Sequence, residues 1–541
     1  MKAFPLIIGL LALNISTSIA QSIADFTPRL IKTGNTTQLL VDNKPYLILG
    51  GELGNSSASD TTYMKPIWPK LKKMNLNTIY APVYWELMEP QEGQFSFSLI
   101  DDLILNARGN HIKLVLLWFG SWKNSMSCYV PEWVKTDQTR FPRAEAKSGL
   151  KQEILSPFSK NNMMADKHAF VKLMEHLKNF DGGQHTVIMI QVENEIGMLP
   201  DARSYEKLAN AAFEQPLPGK LLSYLKDNKS KLLPETKDIW AENNFKTTGN
   251  WEDVFGKSLA TDELFMAWYY AIYVNEIASA GKQVYNLPMY INAALNRPGK
   301  KPGEYPSAGP LPQVADVWKA GTPAIDILAP DFYNPDFKHW SDLYTRSSNP
   351  LLIPEIRFEQ GIDAKAFFAF GNYNCISFSP FSIESTEKPE NEPIGKAYHI
   401  IGQLSPLITK YQPLDKVRGF LFDKDSQEQK ITLGDYILTI THEYKLGWST
   451  QAKDSVWPQT GAMVIEVAPS EYYVAGTGIV ITFEPVSIGK RAGFISVDEG
   501  YFENNTWINQ RRMNGDQDHQ GRHIRVAVND YSIQHVRLYK Y

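Results

Sequence analysis

At 541 residues the chain is too long for one ordinary core, so a large domain with a smaller companion is the natural expectation. Hydrophobic residues at 43% and charged residues at 21% are ordinary for a soluble globular protein. A net charge of −4 removes the electrostatic case for nucleic acid or an anionic membrane as a partner.

In chain order, the N-terminus reads as an export signal over residues 1–20. Lys2 gives the positive start, Phe4 to Leu13 the apolar stretch, and Ser18-Ile19-Ala20 the small-residue cleavage site before Gln21. That stretch is too short to span a bilayer and no second one follows, so the expectation is an exported protein, periplasmic or secreted, without membrane insertion. Gln38–Val41 and Tyr46–Leu49 flank the turn-rich Asp42-Asn43-Lys44-Pro45 and predict a hairpin. Eight short apolar runs then alternate with helical segments. The runs are Tyr46–Gly50, Thr78–Val83, Lys113–Trp118, Val187–Val192, Met289–Asn292, Ile325–Ala329, Leu351–Glu355 and Asn374–Ser379. In the segment Ala169–Phe180, residues Phe170, Leu173, Met174 and Leu177 recur at helical spacing.

Runs apolar on both faces suit parallel strands covered by helices, and eight of them predict a (β/α)₈ barrel over residues 21–410. The rival, a doubly wound open sheet, carries a glycine-rich phosphate loop after its first strand. Gly50-Gly51-Glu52-Leu53-Gly54 opens no long helix and does not supply one. The proline-rich segment Asn296–Pro312 after the fifth strand predicts a long loop at the barrel mouth. From residue 411 to the C-terminus helical periodicity gives way to alternating strands, Lys430–Thr441, Ala462–Val467, Tyr472–Phe483, Phe494–Val497, Ile524–Val528 and Ile533–Tyr541, which predict a sandwich-like all-β domain. Cys128 and Cys375 are too few for a disulfide framework or a metal cluster; one bridge or two free thiols remain open.

Two of the predicted strands end on a carboxylate: Glu195 in Gln191-Val192-Glu193-Asn194-Glu195-Ile196-Gly197, and Glu355 in Leu352-Ile353-Pro354-Glu355. They close strands four and seven, and all strands of such a barrel deliver their C-terminal ends to one mouth. Two carboxyls facing each other across a sugar ring are what cleavage of a glycosidic bond requires, about 5–5.5 Å apart for retention and roughly 6.5–9.5 Å for inversion. Asn194 beside Glu195 can hold a sugar hydroxyl. In an ideal strand, however, Glu193 and Glu195 share one face and Asn194 takes the other, so a bulge or twist is needed to bring Asn194 and Glu195 together. Weaker candidates for substrate contact sit at other strand ends: Glu52, Lys123 and Asn292, and the indoles of Trp85 and Trp122, each of which either stacks on a sugar or fills the core.

The run Gln191–Gly197 resembles the acid/base motif of family 35 glycoside hydrolases, the β-galactosidases of the large retaining (β/α)₈ clan. The stretch Trp85-Glu86-Leu87-Met88-Glu89-Pro90 with Gly93-Gln94-Phe95 is similar to that family's second-strand motif, and the likeness extends over about residues 30–385. It implies Glu195 as general acid/base, Glu355 as nucleophile, Asn194 on the sugar 2-hydroxyl, and Tyr333 hydrogen-bonded to the nucleophile. It further implies a carbohydrate substrate, galactosylated plant oligosaccharides such as xyloglucan in the bacterial branch with a C-terminal β-domain, and no metal or organic cofactor. Two departures stand out: Pro82 occupies a place often held by a sugar-binding tyrosine, and Trp118–Asn124 replaces the common Gly-Pro-Tyr loop. The alternatives are a retaining exo-glycosidase for another β-linked sugar and, outside enzymes, a non-catalytic secreted glycan-binding protein; the oligomeric state is open.

Overall fold

The computed structural model describes residues 26–541, so the segment read as an export signal lies outside the described residues. Eight parallel strands close a barrel in sequential order: Ile48–Glu52, Thr78–Tyr84, Lys113–Phe119, Val187–Val192, Met289–Ala294, Ile327–Phe332, Ile353–Ile356 and Ser377–Pro380. Every residue of the second, fourth, sixth and seventh strands is buried, which is why these runs are apolar on both faces. The hairpin ahead of the barrel gains a third strand and becomes an antiparallel sheet of Arg29–Thr33, Thr36–Val41 and Lys44–Tyr46. The sixth strand begins and ends later than its apolar run suggested and carries Asp331 inside it.

Long helices cover the barrel. Lys160–Asp181 buries Phe170, Leu173, Met174 and Leu177, the face predicted from spacing, and Leu259–Val284 packs beside it. Helices Ile362–Asn372 and Pro393–Tyr411 link the barrel to the second domain. There a six-stranded sheet, ordered Val417–Phe422, Thr460–Ala468, Glu471–Thr477, Ser532–Lys540, Ala492–Glu503 and Thr506–Met513, lies against those helices. A four-stranded sheet of Gln429–Leu433, Tyr436–His442, Ile479–Pro485 and Ile524–Val526 completes the sandwich.

Strand alternation decides which side each residue serves. Met463, Ile465, Tyr473 and Ala475 join the barrel's apolar cluster, while Ala462, Val464, Tyr472 and Val474 fill the space between the sheets. The junction is tight: a β-carbon on Gly371 would sit 2.6 Å from the Gly419 backbone, so only glycine lets the helix and strand approach this closely. Lys430–Thr441 and Tyr472–Phe483, each read as one strand, are two strands apiece, broken at Gly434-Asp435 and at Gly478. Cys128 is exposed, Cys375 is buried, and the two are not bonded. Among the described residues no helix is long and apolar enough to cross a membrane.

Candidate active site

The fourth strand stops at Val192, and the next residues leave the pleat. Glu193 has φ 62° and Glu195 has φ 42°, left-handed values uncommon for residues bearing a β-carbon. These two twists cancel the strict alternation expected of an ideal strand. Glu193 turns back toward Asp166 of the covering helix, whereas Glu195 projects into the mouth. The expectation that Glu193 and Glu195 share one face is therefore corrected. Asn194 is fully buried between them; its N–H donates to Trp122 O at 3.2 Å, and neither atom of its side-chain amide has a partner among the described residues.

Glu355 lies across the mouth from the Glu195 segment, on the seventh strand, in register with Asp331 of the sixth. The Tyr333 hydroxyl donates to Glu355 Oε1, and Oε2 has no partner among the described residues. Burial and then the Glu195 charge push the Glu355 carboxyl up to about 7, against the pull of the Lys123 ammonium and the Tyr333 hydrogen bond. Asp331 is completely buried and held well above the usual carboxylate range, first by desolvation and then by Glu355, Glu195 and Glu52. Its hydrogen-bond contact with Glu195 adds to that rise. Glu52 is raised well above its usual range for the same reasons, with Lys123 opposing.

Glu195 is fixed from three sides. Its N–H donates to Asn292 Oδ1 at 3.0 Å, its carbonyl accepts from Ser125 N at 3.0 Å, and the Asn124 amide donates to its Oε2. Asn292 in turn donates from Nδ2 to Asp331 Oδ2 at 2.7 Å. Asn292, read as a hydroxyl-binding residue, thus has both ends of its amide engaged in positioning Glu195 and Asp331.

Glu195, Glu355, Tyr333 and Lys123 line one pocket of about 900 Å³, large enough for more than one sugar unit. The proline-rich loop forms one wall through Arg297, Lys300, Glu304 and Tyr305, as the sequence suggested. Asn55, Asn124, Asn334 and Arg357 complete the polar lining. Lys123 is 4% exposed, with its ammonium 5.2 Å from the centre of the Phe119 ring. Glu52 lies deeper, 1% exposed, with Oε1 unpaired among the described residues.

The two indoles are corrections. Trp85 and Trp122 are both 0% exposed and offer no face to a ligand. The Trp85 N–H donates to Glu89 Oε2 at 2.8 Å and its ring packs on Trp118 and Trp133. The Trp122 N–H donates to Leu155 O at 3.2 Å and its ring packs on Tyr270 and Tyr273. Sequence reasoning missed Asp331, whose signal was an acid two positions from Tyr333 inside an apolar run. Among the described residues no group of three or more His, Cys, Asp or Glu side chains is arranged to hold a metal ion.

The family model and the curated relative that match are both described as beta-galactosidases. Residues 58–260 match the family model described as beta-galactosidase, glycoside hydrolase family 42, and residues 394–525 match a domain of unknown function. The beta-galactosidase of Xanthomonas manihotis is 28% identical over 234 residues, covering 41% of this chain and 37% of that protein. The chain thus matches well under half the length of that curated relative. Among solved structures, the beta-galactosidase of Bacillus circulans sp. alkalophilus aligns with TM-score 0.46 and 13% identity over 66% of this chain and 56% of that one. That of the psychrophilic Marinomonas ef1 aligns with TM-score 0.46 and 12% identity over 68% and 61%. The family model and the motif resemblance agree on beta-galactosidases and differ on the family, 42 against 35.

Proposed function

We propose that the chain is an exported, exo-acting retaining β-galactosidase that removes terminal β-galactose from plant-type oligosaccharides, xyloglucan side chains among them. The observation that carries the reading is Glu195 and Glu355 lining one pocket, with the Tyr333 hydroxyl on Glu355. The family-model match over residues 58–260 supports the class, and the Trp85–Pro90 and Gln191–Gly197 segments favour family 35 within it. The Lys2-to-Ala20 pattern supports export.

In the first step the free Oε2 of Glu355 attacks the anomeric carbon while Glu195 gives its proton to the departing glycosidic oxygen, leaving a galactosyl ester on Glu355. In the second, a water passes a proton to Glu195 as its oxygen displaces the ester carboxylate, restoring both groups. Tyr333 and Lys123 favour the ionised nucleophile, and Asp331 supplies a hydrogen bond to Glu195. Asn194 and Glu52 lie buried behind this machinery, outside the pocket lining, and their unpaired polar atoms are left to meet the hydroxyls of a sugar lowered into the mouth. Hydrolysis of an aryl β-galactoside followed by proton NMR tests the reading: β-galactose should form first. An α first product, or activity only on another β-linked aryl glycoside, would replace it.

A further inference from the structure

Behind the mouth lies a second acid pair that the proposed reaction does not use. Glu193 and Asp166 are 0% exposed, their carboxyls are in hydrogen-bond contact, and no Lys, Arg or His side chain among the described residues is bonded to either. The groups facing them are Trp118, Ser121 and Trp122 from the third strand and its loop, and Tyr273 from the helix Leu259–Val284. Two carboxylates in contact without a cation cannot both be charged, so one proton stays between them.

The hydrogen bonds say which residue carries it. Asp166 has both oxygens filled by donors: Oδ1 accepts the Trp118 indole N–H at 2.9 Å, and Oδ2 accepts the Ser121 N–H at 3.1 Å and its hydroxyl at 2.6 Å. Glu193 Oε2 accepts the Trp122 N–H at 2.8 Å, but Oε1 has no donor. A β-carbon on Gly120 would lie 2.8 Å from Glu193 Oε1 and 2.9 Å from Asp166 Oδ1, so both oxygens press on the same turn, and only glycine fits there. Burial and the Asp166 charge hold Glu193 well above the usual carboxylate range.

We propose that Glu193 and Asp166 form a clasp in which a hydroxyl at Glu193 Oε1 donates to Asp166. The clasp fixes the turn after the third strand and thereby the positions of Lys123, Asn124 and Glu195. The same turn is stitched to the acid segment on both sides of the clasp, by Asn194 N to Trp122 O and by Ser125 N to Glu195 O at 3.0 Å. Glu193 is a positioning residue: it acts on the proposed chemistry through Glu195 and never touches the sugar.

The donor pattern makes the two acids unequal in a test. In Glu193→Gln the amide oxygen accepts from Trp122 and the NH₂ donates to Asp166, so kcat should stay within about 3-fold of wild type. In Asp166→Asn one NH₂ must face the Trp118 or Ser121 N–H, and in Glu193→Ala the contact is lost. Both should lower kcat about 10²-fold, the cost of a misplaced catalytic group, with KM within about 3-fold. Melting as a function of pH reads the clasp without activity. A carboxyl raised in the folded state stabilises fully below its unfolded pKa, and that stability drains as pH rises through the folded value. The melting temperature of Glu193→Gln relative to wild type should therefore be higher at pH 9 than at pH 6. Glu193→Gln as damaged as Glu193→Ala, Asp166→Asn tolerated as well as Glu193→Gln, or a wild-type-to-Gln difference independent of pH would overturn the proposal. The kinetic arm rests on the activity proposed above. If wild type hydrolyses no β-galactoside, or the two damaging variants fail to fold, the melting comparison of wild type with Glu193→Gln decides alone.

Discussion

The barrel mouth and the C-terminal sandwich treat acidic residues in opposite ways. In the sandwich, acids are answered by cations: Asp498 by Arg512 and Glu499 by Arg511 across adjacent strands, Glu443 by Arg525, and Glu466 by Lys416. In the mouth Glu52, Asp331, Glu195 and Glu355 crowd together, and Lys123 is the cation that acts on Glu52 and Glu355. The sandwich relieves its charge within the sheet, pairing each of these acids with a partly exposed Lys or Arg. The mouth's four acids make no ion pair among the described residues, at a cost to stability, and that is the condition for carboxyls that trade protons near neutrality.

The sharpest way to break this contrast is to remove one charged side chain from each region. Glu355→Gly should lower kcat by about 10⁴-fold or more, as loss of a nucleophile does. Azide added to that variant should restore part of the rate and give the α-galactosyl azide, detectable by NMR, because azide would enter the vacated face. Tyr333→Phe should lower kcat by about 10–10²-fold, the weight of a hydrogen bond to a charged group. It should also move the acidic limb of kcat/KM to higher pH, since the bond it removes favours ionised Glu355. Lys123→Met should shift that limb in the same direction, because its ammonium also lowers the Glu355 pKa.

Stability should run the other way. The Glu355 pKa is raised in the folded state, so its carboxyl stabilises below about 4.5 and that contribution is lost as pH climbs to about 7. Glu355→Gln should therefore gain on the order of 1–3 kcal/mol at pH 7 and nothing at pH 4, read by chemical denaturation at both pH values. Smallest of all, Arg511→Ala should cost only about 0.2–1 kcal/mol and leave kcat unchanged, because Arg511 is exposed and its partner Glu499 is only half-buried. A larger stability loss there than gain at Glu355 would erase the distinction between the two regions.

The barrel was legible because each of its eight strands is a short apolar run with a clear helical segment or loop after it. Glu195 and Glu355 were legible for the same reason, as charges closing such runs. What periodicity could not show was conformation at the strand ends. The left-handed twists at Glu193 and Glu195 follow from bonds to Trp122, Ser125 and Asn292, residues distant in sequence. Trp85 and Trp122 were ambiguous because an indole at a strand end has the same pattern whether it meets solvent or three layers of side chains. Thr506–Met513 was missed because an edge strand bearing Asn509, Gln510, Arg511 and Arg512 has too few apolar residues to alternate. Asp331 was missed because the sixth strand continues to Phe332, past the last aliphatic residue of its run.

The central claim, a covalent sugar on Glu355 opposite Glu195, is tested most directly by trapping it. Incubation with a 2-deoxy-2-fluoro β-galactoside bearing a good leaving group slows release of the ester, and peptide mass spectrometry locates the adduct. The account predicts one sugar per chain, on the peptide containing Glu355. Turnover with no adduct, or an adduct on any other residue, would contradict it.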